Sequence, residues 1–133
     1  MKATKKTVVT LVAALATSAS VMAAPTFTKD VLPILQENCQ TCHRPGGDNM
    51  SGMIAPMSLM DYQEVRPWAK AIMRAVENKT MPPWHAGENF NGVFKNERTL
   101  TAEEIETVIS WVKSGAQRGN PADAPAPVEF REG

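Results

Sequence analysis

The sequence of 133 residues predicts a small all-α protein with one folded domain. Apolar residues recur at helical spacing in three segments, residues 27–39, 61–79 and 101–115. No segment shows the alternation of a strand, and the connections between the helices are rich in proline and glycine. A chain of this length is the size of a single domain, so the three segments are expected to share one core.

The first two helical segments have different internal signals. Val31 and Leu35 lie one turn apart in the first segment and predict a buried stripe. In the second segment Pro67 suits the first position of a fresh helix, where its missing N–H costs little. The residues after this proline that are predicted to share one buried face are Trp68, Ile72, Ala75 and Val76.

The last helical segment has the clearest boundaries. Thr101 and Glu104 form a capping box at its start, and Gly115 is placed to end it. Its apolar positions follow the helical period, so one face is expected to be core. The first and last helices are predicted to pack across each other through Val31 and Leu35 against Ile109 and Trp111.

The most specific motif is a C-x-x-C-H run at Cys39, Cys42 and His43, which is typical of c-type haem attachment. The spacing puts the two sulfurs about one helical turn apart, so both thiols can add to the vinyl groups along one edge of a porphyrin. His43 follows at once and can supply the proximal iron ligand. The chain has no other cysteine. One covalent haem c is therefore the predicted cofactor.

Two other interpretations use the same residues. A thioredoxin-like C-x-x-C pair would need a βαβ setting, whereas helical segments surround this one. A zinc site could combine both cysteines with His43 and His85, the only histidines. However, adjacent residues such as Cys42 and His43 rarely both reach one tetrahedral ion.

The first 23 residues predict a secretory signal peptide. Three lysines precede a short apolar run, and Val21 and Ala23 suit a cleavage site before Ala24. The run spans only residues 7–19, too short for a membrane span of ~20 residues. The predicted domains are the signal peptide 1–23, a haem domain 24–119 and a Pro/Ala-rich, linker-like tail 120–133.

Removal of the signal peptide changes the charge balance. It removes three lysines and no acid, so 11 basic residues face 14 acidic ones and the net charge becomes −3. This balance argues against nucleic acid as a partner. Since haem c is attached after export in bacteria, the predicted location is the periplasm, without stable membrane insertion after cleavage.

Several other residues are candidates for the haem environment. Met81 lies on a proline-stiffened segment between helices, 38 residues after His43, and is a good sixth ligand, with His85 as its rival. The Pro56 carbonyl is a candidate acceptor for the second ring nitrogen of the proximal histidine. The remaining candidates, which carry N–H donors, are Arg66, Trp68 and Trp84.

Taken together, these motifs resemble a class I-type monohaem cytochrome c. The resemblance implies thioethers at Cys39 and Cys42, iron ligation by His43 and Met81, and a Pro56 carbonyl that holds His43. The usual G-P-x-L of that family appears here as A-P-M-S-L, residues 55–59. The R-P-W-A and M-P-P-W segments resemble a narrower branch, in which such domains are also fused to copper monooxygenase-like or redoxin-like domains.

The predicted function is that of a periplasmic electron carrier and not an enzyme. Its iron would cycle between the ferric and ferrous states. Expected partners are redox proteins, namely a membrane oxidase, a dehydrogenase or a monooxygenase-like enzyme. The alternative is a haem subunit of a larger redox enzyme or a sensor that binds a small ligand at a vacant sixth position.

Overall fold

The computed structural model describes residues 23–46, 55–84, 86–90, 92–95 and 97–130. Its α-helices are α1 (Leu32–Asn38), α2 (Tyr62–Val65), α3 (Ala69–Glu77) and α4 (Ala102–Lys113). A π-helical turn, Phe27–Val31, leads into α1, and short 3₁₀ turns occur at Arg66–Trp68, Glu88–Phe90 and Pro121–Asp123. The described residues contain no strand, which confirms the all-α prediction.

The first helix starts with a widened turn. The Val31 N–H bonds to the Thr26 carbonyl at 3.2 Å, a five-residue step. Pro33, two residues later, has no N–H to donate, and its ring would clash with a carbonyl four residues earlier in a regular α-helix. A π-helical turn before the proline avoids this conflict. The Asp30 carboxylate closes the start by accepting the Thr26 N–H at 2.7 Å.

Trp111 on α4 is the centre of the core. Its side chain has no exposed surface and packs in one cluster with Phe27, Val31 and Leu35. The Phe27 and Trp111 rings lie 6.0 Å apart, centroid to centroid. The predicted crossing of the first and last helices is therefore confirmed for Val31, Leu35 and Trp111. Ile109 is buried as well, but it lies outside this cluster.

The termini of α4 follow the sequence signals. The Thr101 N–H donates to the Glu104 carboxylate at 2.7 Å, and the Glu104 N–H donates to the Thr101 hydroxyl at 3.2 Å. Both halves of the predicted capping box are present. Gly115 has a positive φ of 101° and ends the helix, as predicted.

The chain after α4 returns to the start of the first helix. The Phe27 N–H donates to the Gln117 carbonyl at 2.9 Å. Gly119 has a positive φ of 82°, and a Cβ on it would lie 2.6 Å from the Thr26 side chain. This approach of the backbone to Thr26 therefore requires glycine.

The C-terminal tail differs from the predicted linker. The Gln36 side chain on α1 donates to the Ala126 carbonyl at 3.0 Å. The Arg44 guanidinium lies 4.6 Å from the centre of the Phe130 ring. The tail has the extended backbone that its prolines favour, but it contacts α1 and the residue after His43. The Ala126 carbonyl and the Phe130 ring thus give the tail two contacts that its composition does not reveal.

Candidate haem-binding site

An apolar cavity of about 210 Å³, here called the main cavity because Cys39 and His43 line it, lies between the C-x-x-C-H turn and α3. Its lining combines residues of that turn, residues 56–59, one face of α3, and Met81 at the start of the proline-stiffened segment. The lining residues are Cys39, His43, Pro56, Met57, Leu59, Ala71, Ile72, Ala75, Val76 and Met81. Almost all of this lining is apolar, which suits a hydrophobic ring system with a metal centre better than a polar substrate.

The C-x-x-C-H turn continues directly from α1. The N–H groups of Cys39 and Gln40 both donate to the Leu35 carbonyl, at 2.9 and 2.8 Å, and the His43 N–H donates to the Cys39 carbonyl at 2.9 Å. These bonds coil residues 39–43 into a tight turn. Both cysteines are half-buried free thiols. A turn of this kind presents two thiols and an imidazole from one short stretch of chain.

The orientation of the His43 ring is set by a hydrogen bond. Its Nδ1 lies 3.0 Å from the carbonyl oxygen of Met57. Because a carbonyl can only accept, Nδ1 carries the proton and Nε2 keeps its lone pair. This is the tautomer in which Nε2 can bind a metal.

The acceptor for His43 differs from the predicted one. Pro56 lines the cavity, but the carbonyl that meets His43 belongs to Met57. The reason lies in Leu59, whose side chain is buried and whose N–H donates to the His43 carbonyl at 2.9 Å. In G-P-x-L the proline precedes leucine by two residues, whereas here Pro56 precedes Leu59 by three. The buried leucine, and not the proline, determines which carbonyl faces His43.

The environment of Cys39 is unfavourable for thiol–disulfide exchange. Burial raises the pKa of the Cys39 thiol from 9.0 to about 12, with Cys42 and Glu104 adding to the shift. Redox-active C-x-x-C pairs have a lowered thiol pKa, because the thiolate is the attacking species. At neutral pH Cys39 stays protonated. A thioredoxin-like role is therefore not supported.

The zinc interpretation also finds no support in the described part of the chain. There, no group of three or more His, Cys, Asp or Glu side chains is arranged to hold a metal ion. His85, which that interpretation needs and which is the rival of Met81, lies outside the described residues.

Met81 lies where the main cavity adjoins a second one. This second cavity, of about 230 Å³, is lined by Val76, Met81 and Trp84 among others, and the first two line the main cavity as well. The Nε1 of Trp84 is buried and has no acceptor among the described residues. A buried N–H without an acceptor is costly, so a group that brings an acceptor would be favoured here. Carboxylates at the edge of a haem are acceptors of this kind, so the residues present fit the group.

Two of the predicted haem-environment residues lie elsewhere. Trp68 is 44% exposed, and neither it nor Arg66 lines either cavity. The Arg66 guanidinium instead donates to the Gly115 carbonyl at 3.4 Å. Residues 66–68 form a 3₁₀ turn, which has three residues per turn in place of the ~3.6 of an α-helix. Trp68 is therefore not part of the buried face that was predicted for it with Ile72 and Val76.

Two residues near the site carry no sequence signal that singles them out. Arg98 reaches the motif from the loop before α4, and its Nη1 lies 3.7 Å from the Cys42 sulfur. Gln40 occupies a variable position of the motif, yet its side chain is only 1% exposed. A buried carboxamide between two cysteines could have been noticed only from its contacts, which depend on tertiary structure.

Comparison with known families agrees with this geometry. A family model for cytochrome c matches residues 33–116, which is more than half of the chain. The chain therefore belongs to the cytochrome c family. It binds covalent haem c and is a haem-binding electron-transfer protein. No curated protein and no solved structure gave a match.

None of the helices that the structure describes is long and apolar enough to cross a membrane.

Proposed function

We propose that this chain is an exported one-electron carrier, with haem attached through Cys39 and Cys42 and with His43 and Met81 as the axial ligands. The observation that carries this proposal is the shared cavity. His43 and Met81 come from segments far apart in the sequence, and both line one apolar space with Cys39. A bound haem c supplies an iron that accepts and releases one electron.

The roles of the four residues follow from their chemistry. Cys39 and Cys42 attach the cofactor, so that it is not lost when the oxidation state changes. The hydrogen bond from His43 Nδ1 to Met57 directs the other ring nitrogen toward the metal and makes it a stronger donor. Met81 contributes a soft thioether, which favours ferrous iron and raises the reduction potential.

The surroundings of these residues support electron transfer in preference to catalysis. The main cavity is lined by aliphatic side chains of α3 and by Met57 and Leu59, with no carboxylate among them. A lining of this kind offers no carboxyl group as a proton donor for bond-breaking chemistry. A carrier needs only a small structural change between its two oxidation states, and a packed apolar lining favours this.

The test of this proposal is spectroscopic. Mass spectrometry of the denatured protein should show the peptide plus one haem. The ferric protein should show the long-wavelength band of methionine ligation, and the ferrous protein should not bind carbon monoxide. Met81→Leu should abolish the band, lower the reduction potential and permit carbon monoxide binding.

Two variants serve as controls for Met81. Met57→Leu removes another thioether from the same cavity and leaves the backbone carbonyl that His43 uses, so it should keep the band. His85→Ala should also keep it. Absence of the band from the unmodified ferric protein, together with carbon monoxide binding gained in His85→Ala and not in Met81→Leu, would show bis-histidine ligation. Carbon monoxide binding by the unmodified ferrous protein would support the small-ligand sensor instead.

The export part of the proposal rests on the sequence. The basic start, the short apolar run and the small residues near Ala23 support cleavage there and release into the periplasm. The mature charge of −3, which results from loss of three lysines from a neutral chain, supports redox partners with a basic docking surface. N-terminal sequencing of periplasmic protein should begin at Ala24 or Pro25. Full-length chain in the membrane fraction would contradict cleavage.

A further inference from the structure

Gln40 is the most deeply buried polar side chain among the described residues. It lies between the two cysteines, is only 1% exposed, and directs its Nε2 at two backbone carbonyls. The distances are 2.9 Å to the Leu59 oxygen and 3.4 Å to the Met60 oxygen. A carboxamide in an apolar core is tolerated only when its polar atoms are bonded. The two carbonyls therefore account for a polar residue at this buried position.

These carbonyls belong to the same stretch of chain as the acceptor of His43. Residues 57–60, here called the acceptor segment, begin with the Met57 carbonyl that accepts from His43 Nδ1 at 3.0 Å. The same segment is bound from the other direction, because the Leu59 N–H donates to the His43 backbone carbonyl at 2.9 Å. The C-x-x-C-H turn thus holds the acceptor segment through three groups, namely the His43 ring, the His43 backbone carbonyl and the Gln40 side chain. Of these, only the Gln40 side chain belongs to a variable position of the motif.

We propose that Gln40 is a positioning residue that holds the Met57 carbonyl against His43 and so sets the reduction potential. This inference rests on the proposed role of His43 as iron ligand. A strong hydrogen bond from Nδ1 makes the imidazole a better electron donor, which stabilises the oxidised metal. Without the Gln40 bonds the acceptor segment is held less firmly, the His43–Met57 bond weakens and the potential rises.

The competing explanation is that Gln40 only fills space. The variant Gln40→Met separates the positioning role from space filling, because methionine has a similar length and volume but no N–H donor. Gln36, one turn earlier in α1, gives a matched control. Its Nε2 also donates to one backbone carbonyl, that of Ala126 at 3.0 Å, but this bond is exposed and leads to the C-terminal tail.

The experiment compares Gln40→Met and Gln36→Met in the haem-loaded protein. Mass spectrometry first shows that each variant carries one haem. The reduction potential is then measured, together with the solvent exchange of the His43 Nδ1 proton in the ferrous state by NMR. Gln40→Met should raise the reduction potential and speed the exchange of the His43 Nδ1 proton up to about tenfold, the factor that corresponds to the net free energy of one hydrogen bond. Gln36→Met should change neither quantity.

A haem-loaded Gln40→Met protein with reduced stability, but with the potential and exchange rate of the unmodified protein, would overturn the positioning role. Should that variant not assemble, Gln40→Asn is measured instead, because its shorter carboxamide keeps the donor but withdraws it from the Leu59 and Met60 carbonyls. A raised potential with faster exchange of the His43 Nδ1 proton supports the role, and unchanged values overturn it. Absence of haem from the unmodified protein would instead contradict the proposed function, so the two failures are distinct.

Discussion

Replacement of Trp111 by alanine is expected to destabilise the protein more than any other single truncation of a tryptophan. The side chain has no exposed surface and contacts the Phe27 ring at a centroid distance of 6.0 Å. Truncation of a fully buried aromatic residue costs ~3–5 kcal/mol, from lost transfer free energy and the cavity that remains. Its Nε1 also donates to the Gln117 carbonyl at 2.9 Å.

The loss of that hydrogen bond adds little to the estimate. The Gln117 carbonyl also accepts the Phe27 N–H at 2.9 Å, so it keeps a partner when Trp111 is removed. The expected change therefore stays at ~3–5 kcal/mol, a fifth or more of the ~5–15 kcal/mol typical of a domain. Trp111→Phe keeps most of the ring packing, so it should cost clearly less than Trp111→Ala, and most of its cost should come from the smaller ring.

The assay is urea unfolding of the haem-loaded protein, followed by far-ultraviolet circular dichroism and by haem absorbance. Trp68→Ala is the matched control, because Trp68 is 44% exposed and lies on the surface of the 3₁₀ turn. It should cost below about 1 kcal/mol, as expected for a surface substitution. Equal losses for the two variants, or an unchanged midpoint for Trp111→Ala, would refute the assignment of Trp111 to the centre of the core.

Two further predictions concern a charge and a turn. Arg98→Met should lower the reduction potential, by an amount on the order of 1 kcal/mol, because it removes a cation 3.7 Å from the Cys42 sulfur. Protein-film voltammetry measures this, and Arg66→Met, remote from both cavities, should leave the potential unchanged. Gly119→Ala should destabilise the protein by about 1–3 kcal/mol, since its Cβ would lie 2.6 Å from Thr26. Gly46→Ala is the control, because Gly46 also has a positive φ but its added Cβ would meet nothing within 4 Å. If thermal unfolding showed equal losses of stability for the two variants, the clash with Thr26 would be contradicted.

Local signals in the sequence were sufficient for the boundaries of the last helix and for the haem motif. The capping box of Thr101 and Glu104 involves residues three apart, so its geometry depends only on local backbone structure. The same holds for the coil of residues 39–43 after α1. The family and the covalent cofactor were predictable for this reason, because C-x-x-C-H puts all of its chemistry within five residues.

Only the tertiary structure decided which residues approach the motif from elsewhere. The acceptor of His43 is Met57 and not Pro56, because burial of Leu59 sets the register of that segment. Arg98 and Gln40 make contacts between distant segments, and no local pattern encodes these contacts. The sequence by itself determined the helices and the haem chemistry, since both depend on neighbouring residues. The fold decided the register and the partners, since both depend on how distant segments share one apolar core.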